Sequence, residues 1–204
     1  MAEVQKAIAL IVGAASPIGA LAAEAVGEQG YLVGLCDLAS EACTRIQQQL
    51  EAKGIIAESH PADPSKKLSF QTMLEHFLER HGCIDLLVNA SMVAPQRTLL
   101  DMDEWDWRRA MDLNLSTVFI SIQSVGRVFR DLGGGTILNL VEQEADPQSF
   151  TYQSSAAAIL ALSESARAEI ESIGVGMEGL AVPRDKQKLA AALAPYLALQ
   201  APQN

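Results

Sequence analysis

Cysteine is scarce, with Cys36, Cys43 and Cys83 the only three in 204 residues. Three cannot pair completely, and their spacing fits neither a disulfide framework nor a metal site, so they read as packing thiols of a reducing cytoplasm. Histidine is as rare, and His76 and His81 lie five apart on one helical pattern, facing different ways, which argues against a metal shared by those two. No metal is expected. No apolar run approaches the roughly 20 residues of a membrane span. Cations are outnumbered, 15 Lys and Arg against 25 Asp and Glu, and a net charge of −10 repels nucleic acid and anionic membranes. Repeats, low-complexity stretches and linkers are also missing. Lys6 to Ala15 has the cation, apolar centre and small residues of a short export signal, but Glu3 spoils its leader. What is left fits one soluble domain, residues 1–204, with enough apolar sequence (49%) for one good core.

The informative stretch is Leu10 to Gly19. Ala7 to Val12 is a β-branched, apolar run of the kind that forms a strand buried on both faces. Gly13 allows a tight turn, Ser16 is a good N-cap, and Pro17 suits the first helical position because its missing N–H has no partner there. A helix N-terminus aimed out of a parallel sheet attracts anions, the geometry of a nucleotide pyrophosphate site. Gly13, Ala15, Ser16, Ile18 and Gly19 are the candidate loop. Asp37 ends the next apolar run, Leu32 to Cys36, 18 residues after Gly19, where a carboxylate can accept from an adenosine ribose. It is equally placed to cap a helix starting at Ser40.

Helices are expected over 17–29, from 40 to about 53, from the Ala62-Asp63-Pro64 turn to His81, from 103 to 132 with a break near Asn114, over 152–172, and over 185–199, ended or kinked near Pro195. Apolar strands are expected at 7–12, 32–36, 55–58, 84–88, 136–141 and 175–182. Strands alternating with helices imply an α/β fold, a doubly wound parallel six-stranded sheet with helices on both faces. Its crevice lies at the carboxyl ends of the strands, where Gly13, Asp37, Asn89 and Val141 fall.

With these motifs in order, the sequence resembles the short-chain dehydrogenase/reductase family along nearly its whole length. Gly13-Ala14-Ala15-Ser16-Pro17-Ile18-Gly19 is similar to its glycine motif, Asp37 to its ribose-binding acid, and Asp63 to the aspartate that meets the adenine ring. Ile84 to Ala90 resembles the strand leading into Asn-Asn-Ala-Gly, with Asn89 as its first asparagine. Asp103 to Leu115 is the most specific match and puts Asn114 on the catalytic asparagine, while Gly135 to Leu140 precedes the catalytic serine and Tyr152 falls on the catalytic tyrosine. The resemblance implies an NAD(H) site and oxidoreductase chemistry at CH–OH or C=O.

The departures carry as much weight. The serine position holds Val141-Glu142, the lysine four residues after the tyrosine is Ala156, and Pro183-Arg184 runs into the last helix where family members insert a substrate-covering loop. The final strand that follows is also missing before Asn204. A phenol working as acid or base needs its pKa brought down from about 10, usually by an ammonium. Ala156 supplies none, and Glu142 or Glu144 would push the phenol up. Tyr152 then reads as a helix anchor, Asn114 as a helix-break residue bonded to backbone, and Trp105 and Trp107 as packing residues.

Three readings stay open. One is an NAD(H)-binding protein with impaired or absent activity, a regulatory or partner subunit. The second is a working NAD-dependent oxidoreductase on a small carbonyl or alcohol, using Tyr152 and Asn114. The third is a structural partner with a vestigial nucleotide site. Ala156 to Leu162 are seven consecutive apolar residues that wrap almost all round a helix. With the two-fold helix pairing that the resemblance implies, they suggest a homodimer, or a hetero-oligomer with an active relative, with Leu160 a candidate for the seam.

Overall fold

The computed structural model describes residues 6–143 and 149–197. Strands β1 (Ile8–Val12), β2 (Leu32–Cys36), β3 (Ala57–Ser59), β4 (Leu86–Asn89), β5 (Gly135–Glu142) and β6 (Val175–Val182) form one parallel sheet in the order β3-β2-β1-β4-β5-β6. Helices α1 (Pro17–Glu28), α2 (Ser40–Glu51), α3 (Lys67–His81), α4 (Glu104–Met111), α5 (Thr117–Leu132), α6 (Phe150–Ser172) and α7 (Lys186–Leu197) cover it. The chain leaves β1 toward β2 on one side and reaches β4 on the other, so a crevice opens between the carboxyl ends of β1 and β4.

All five residues of β1 are buried, as the unbroken apolar run predicts. Its side chains divide between two cores. Ala9 and Ile11 join Ile18, Ala22 and Val26 of α1 and Leu189 and Leu193 of α7. Leu10 and Val12 join Phe70 and Phe77 of α3, Val125 and Phe129 of α5, and Ile159 of α6. Gly34 on β2 is what admits the Phe77 ring, since a Cβ there would lie 2.5 Å from it. Among the described residues no helix is long and apolar enough to cross a membrane.

Local departures have local causes. β3 begins at Ala57 because the Ile55 N–H bonds back to the Leu50 carbonyl, closing the α2 end, and Ile56 is exposed. β4 begins two residues later than expected; the Asp85 carboxylate just before it accepts the Ile8 N–H at 2.7 Å. The break near Asn114 is a π-helical turn, Asp112–Ser116, joining α4 to α5. α7 passes through Pro195 to Leu197, and Leu199, where its end was expected, lies outside the described residues, as does Glu144. Trp105 does not pack: it is 70% exposed, and Trp107 stacks on Phe150 with ring centroids 6.0 Å apart. Ala110 is the buried residue of α4, and Trp105, five positions earlier, lies on another side of the helix. Leu160 is half-buried, with its Cδ2 over Gly179 on β6.

Candidate active site

Gly13 turns out of β1 with φ +82°, and a Cβ there would lie 2.3 Å from the Ser91 N atom. The β1 and β4 exits therefore cross in contact. Ser16 Oγ accepts the Gly19 N–H at 2.9 Å and donates to the Ala90 carbonyl at 2.6 Å, capping α1 and tying it to the end of β4. Gly19 is a second close approach, since its Cβ would meet the Gly13 carbonyl oxygen at 2.2 Å. Asp37 accepts from the Ala15 N–H through Oδ2 and from the Ala39 N–H through Oδ1, each at 3.0 Å. It thus holds the glycine turn and the approach to α2 together. With Gly19 N–H capped and Pro17 without an N–H, the Ile18 N–H has no partner among the described residues.

These residues face a groove of about 260 Å³ lined by Ala15, Ser16, Pro17, Asp37, Leu38, Pro64, Ser91, Met92, Val93 and Leu113. No cation lines it. Asp63 stands beside it on a short turn, accepting from the Ser65 N–H and hydroxyl at 3.0 and 2.6 Å, with Arg109 Nη1 3.8 Å away. Asn89 behaves differently. Its side chain turns inward, donating to Asn139 Oδ1 at 2.8 Å and accepting from Ser121 Oγ at 2.6 Å. Asn139 donates on to Ser163 Oγ at 2.9 Å, and Ser163 to the Ile159 carbonyl. This relay fastens β4, β5, α5 and α6 to one another. Asn139 in an otherwise apolar run was the one mark of it in the sequence.

Tyr152 is 2% exposed. Its hydroxyl accepts the Glu142 N–H at 2.5 Å and lies 3.4 Å from the Glu142 carbonyl. Burial pushes the phenol above 10; the Glu142 charge adds to this, while the Glu142 N–H and Arg184 pull the other way. Ala156, one turn along α6, packs in the same apolar cluster. The Glu142 side chain is buried too, and Arg184 Nη2 sits 2.8 Å from its carboxylate. No sequence pattern flags this pair, whose members lie 42 positions apart. Asn114, on the π-helical turn, is also consumed: Oδ1 accepts the Val93 N–H at 2.7 Å, and Nδ2 donates to the Val93 carbonyl at 2.9 Å and to Ser155 Oγ at 3.0 Å. Tyr152 and Asn114 are brought to the same end of α6, and each is fully engaged inside the protein.

Comparison with known proteins matches residues 7–184 to the short chain dehydrogenase family. A D-threitol dehydrogenase of Mycolicibacterium smegmatis is 30% identical over 171 residues, covering 82% of this chain and 66% of the relative. The match spans about two thirds of that enzyme's length. Among solved structures, a short chain dehydrogenase from Mycobacterium smegmatis superposes with a TM-score of 0.84 at 22% identity, over 94% of this chain and 85% of the other, and shares the fold. A gluconate 5-dehydrogenase from Burkholderia cenocepacia, in complex with NADP and tartrate, does so with a TM-score of 0.77 at 27% identity, over 86% and 70%.

Proposed function

The chain belongs to the short-chain dehydrogenase family, and from that premise we propose that it is an NAD(H)-binding member with impaired oxidoreductase activity. The observation that carries this reading is Tyr152, buried against the Glu142 backbone with its phenol pushed up and Ala156 where an ammonium is needed. The groove fits a dinucleotide at several points. Ile18 offers a free N–H at the positive end of α1, Gly13 and Gly19 leave room for close approach, and the Asp37 carboxylate keeps acceptor capacity beyond its two bonds for ribose hydroxyls. Asp63 and Pro64 would flank the adenine. When bound, the nicotinamide would accept or donate hydride; Tyr152 would have to move the accompanying proton.

NADH should bind more tightly than NADPH. A 2′-phosphate would meet Asp37 with no cation among the described residues of the groove to offset it, and like charges about 4 Å apart repel by roughly 1 kcal/mol in water and 4 kcal/mol near a protein surface. Calorimetry should give a preference of about tenfold or more, and the melting temperature should rise with NADH. Tighter NADPH binding would overturn the assignment of Asp37, and no binding of either would favour the vestigial-site reading.

The second reading, a working oxidoreductase on a small carbonyl or alcohol, rests on Arg184, the one side-chain cation that pulls the phenol down. It is already paired with Glu142, and the balance at Tyr152 is upward.

The surface between α5 and α6 bears on assembly. A groove of about 400 Å³ runs there past Phe119, Gly126, Leu162 and Ile170, Phe119 is half exposed, and Ala157 and Ala161 face outward. We read it as the seam of a homodimer or of a pairing with an active relative. Light scattering at micromolar concentration should report about twice the 21.8 kDa chain mass, reduced to one chain by Phe119→Glu. A strictly monomeric protein without a copurifying partner would remove this part of the reading. The three thiols are unpaired, which supports a cytoplasmic setting.

A further inference from the structure

Three side chains that the nucleotide groove does not use converge at the β3 edge of the sheet. Glu58 lies on β3, His60 just beyond it, and His81 is the last residue of α3. Glu58 Oε2 is 3.1 Å from His81 Nε2 and 3.5 Å from His60 Nε2, and the three donor atoms lie within 4.8 Å of one another. A tetrahedral Zn²⁺ with bonds of about 2.0–2.1 Å places its ligand atoms roughly 3.3 Å apart. We propose that Glu58, His60 and His81 form a zinc site in which two imidazoles and a carboxylate supply three ligands and water the fourth.

Three observations support it. His60 Nε2 is buried without a hydrogen-bond partner, an orphaned lone pair or N–H that a buried site rarely leaves unused. Phe77 is wedged against both rings, with centroids 4.9 Å from His60 and 4.6 Å from His81, so the two imidazoles are held with Nε2 toward the carboxylate. Arg80 takes the other oxygen of Glu58, at 3.2 Å from Oε1, which orients the carboxylate and leaves Oε2 for the metal. The side chains of His60, Glu58 and His81 are 16%, 22% and 9% exposed, so the ion has a path from solvent. Such an ion would clamp an edge strand of only three residues to the end of the helix that packs beside it.

The test uses the full chain, stripped with a chelator and titrated with ZnCl₂. Calorimetry should show one Zn²⁺ per chain, and a hundredfold excess over Kd should raise the melting temperature by about 5–10 °C. Co²⁺ in its place should give the visible absorption of a tetrahedral centre. H60Q and H81Q should each weaken binding by more than the ten- to hundredfold typical of losing a supporting residue, with metal-free melting near that of wild type. H76Q, which removes an exposed histidine of the same helix, should bind as wild type does. If H81Q does not fold, E58Q replaces it. No saturable binding at one equivalent, unchanged affinity in H60Q and H81Q, or loss in H76Q would each overturn the proposal.

Discussion

With NADH and a panel of short ketones, the protein should turn over at least a hundred- to ten-thousand-fold below the ~10 s⁻¹ of a median enzyme. The expected loss is that of positioned acid–base assistance. Tyr152 donates and accepts at the Glu142 backbone, its phenol is pushed above 10, and Arg184, the cation that pulls it down, is committed to Glu142. The sign of the residual pH dependence follows. Alcohol oxidation needs the phenolate, so any remaining rate should climb with pH without a plateau below pH 10, in contrast to an enzyme whose tyrosine titrates near neutrality. Ala156→Lys combined with Glu142→Ser should recover part of the deficit, because it restores an ammonium beside the phenol and removes the carboxylate that opposes it. A kcat near 10 s⁻¹ in the unaltered protein would refute the reading, and a flat pH profile in a slow one would exclude Tyr152 as the group responsible.

Gly13→Ala should destabilise the fold by roughly 2–6 kcal/mol, combining the strain of a positive φ with the overlap of a Cβ placed 2.3 Å from the Ser91 backbone. Gly30→Ala is the matched comparison. Its φ of +92° is as demanding, but nothing lies within 4 Å of the added carbon, so only the conformational part, roughly 1–3 kcal/mol, should appear. Urea titration of both variants separates strain from crowding. Equal losses would mean that the β1 and β4 exits do not meet as tightly as described, and the floor of the groove would have to be redrawn.

Much of the architecture was legible because it depends on local rules. The run before Gly13 had to be a doubly buried strand, Ser16 and Pro17 had to start a helix, and Gly82 and Gly133 stop two others with positive φ. The groove at the β1 exit could be located from Gly13 and Asp37, since strand-end positions follow once the alternation of strands and helices is known. The long-range partners could not be read. Nothing in the sequence joins Glu142 to Arg184, Asn114 to Val93, or Asn89 to Ser121, because those bonds are set by how β5, α6 and the segment before α4 come together in space. Trp105 shows the opposite failure: its residue type suggested a core, but its place on the exposed side of a short helix decides its surroundings. The grouping of His60 and His81 also depends on Phe77 packing between elements, whereas helical spacing had considered only His76 with His81.

The Glu142–Arg184 pair makes the order of substitution at this site matter. Its two members are not equivalent: the Glu142 side chain is 2% exposed and that of Arg184 is 51% exposed. Losing Arg184 first would strand a carboxylate in the interior, a change of about 3–5 kcal/mol, which is a large share of a typical domain's stability. Losing Glu142 first leaves a guanidinium that water can solvate where it stands. Replacing both residues is therefore passable in one order and obstructed in the other: the double variant is reached by giving up the buried acid before its partner.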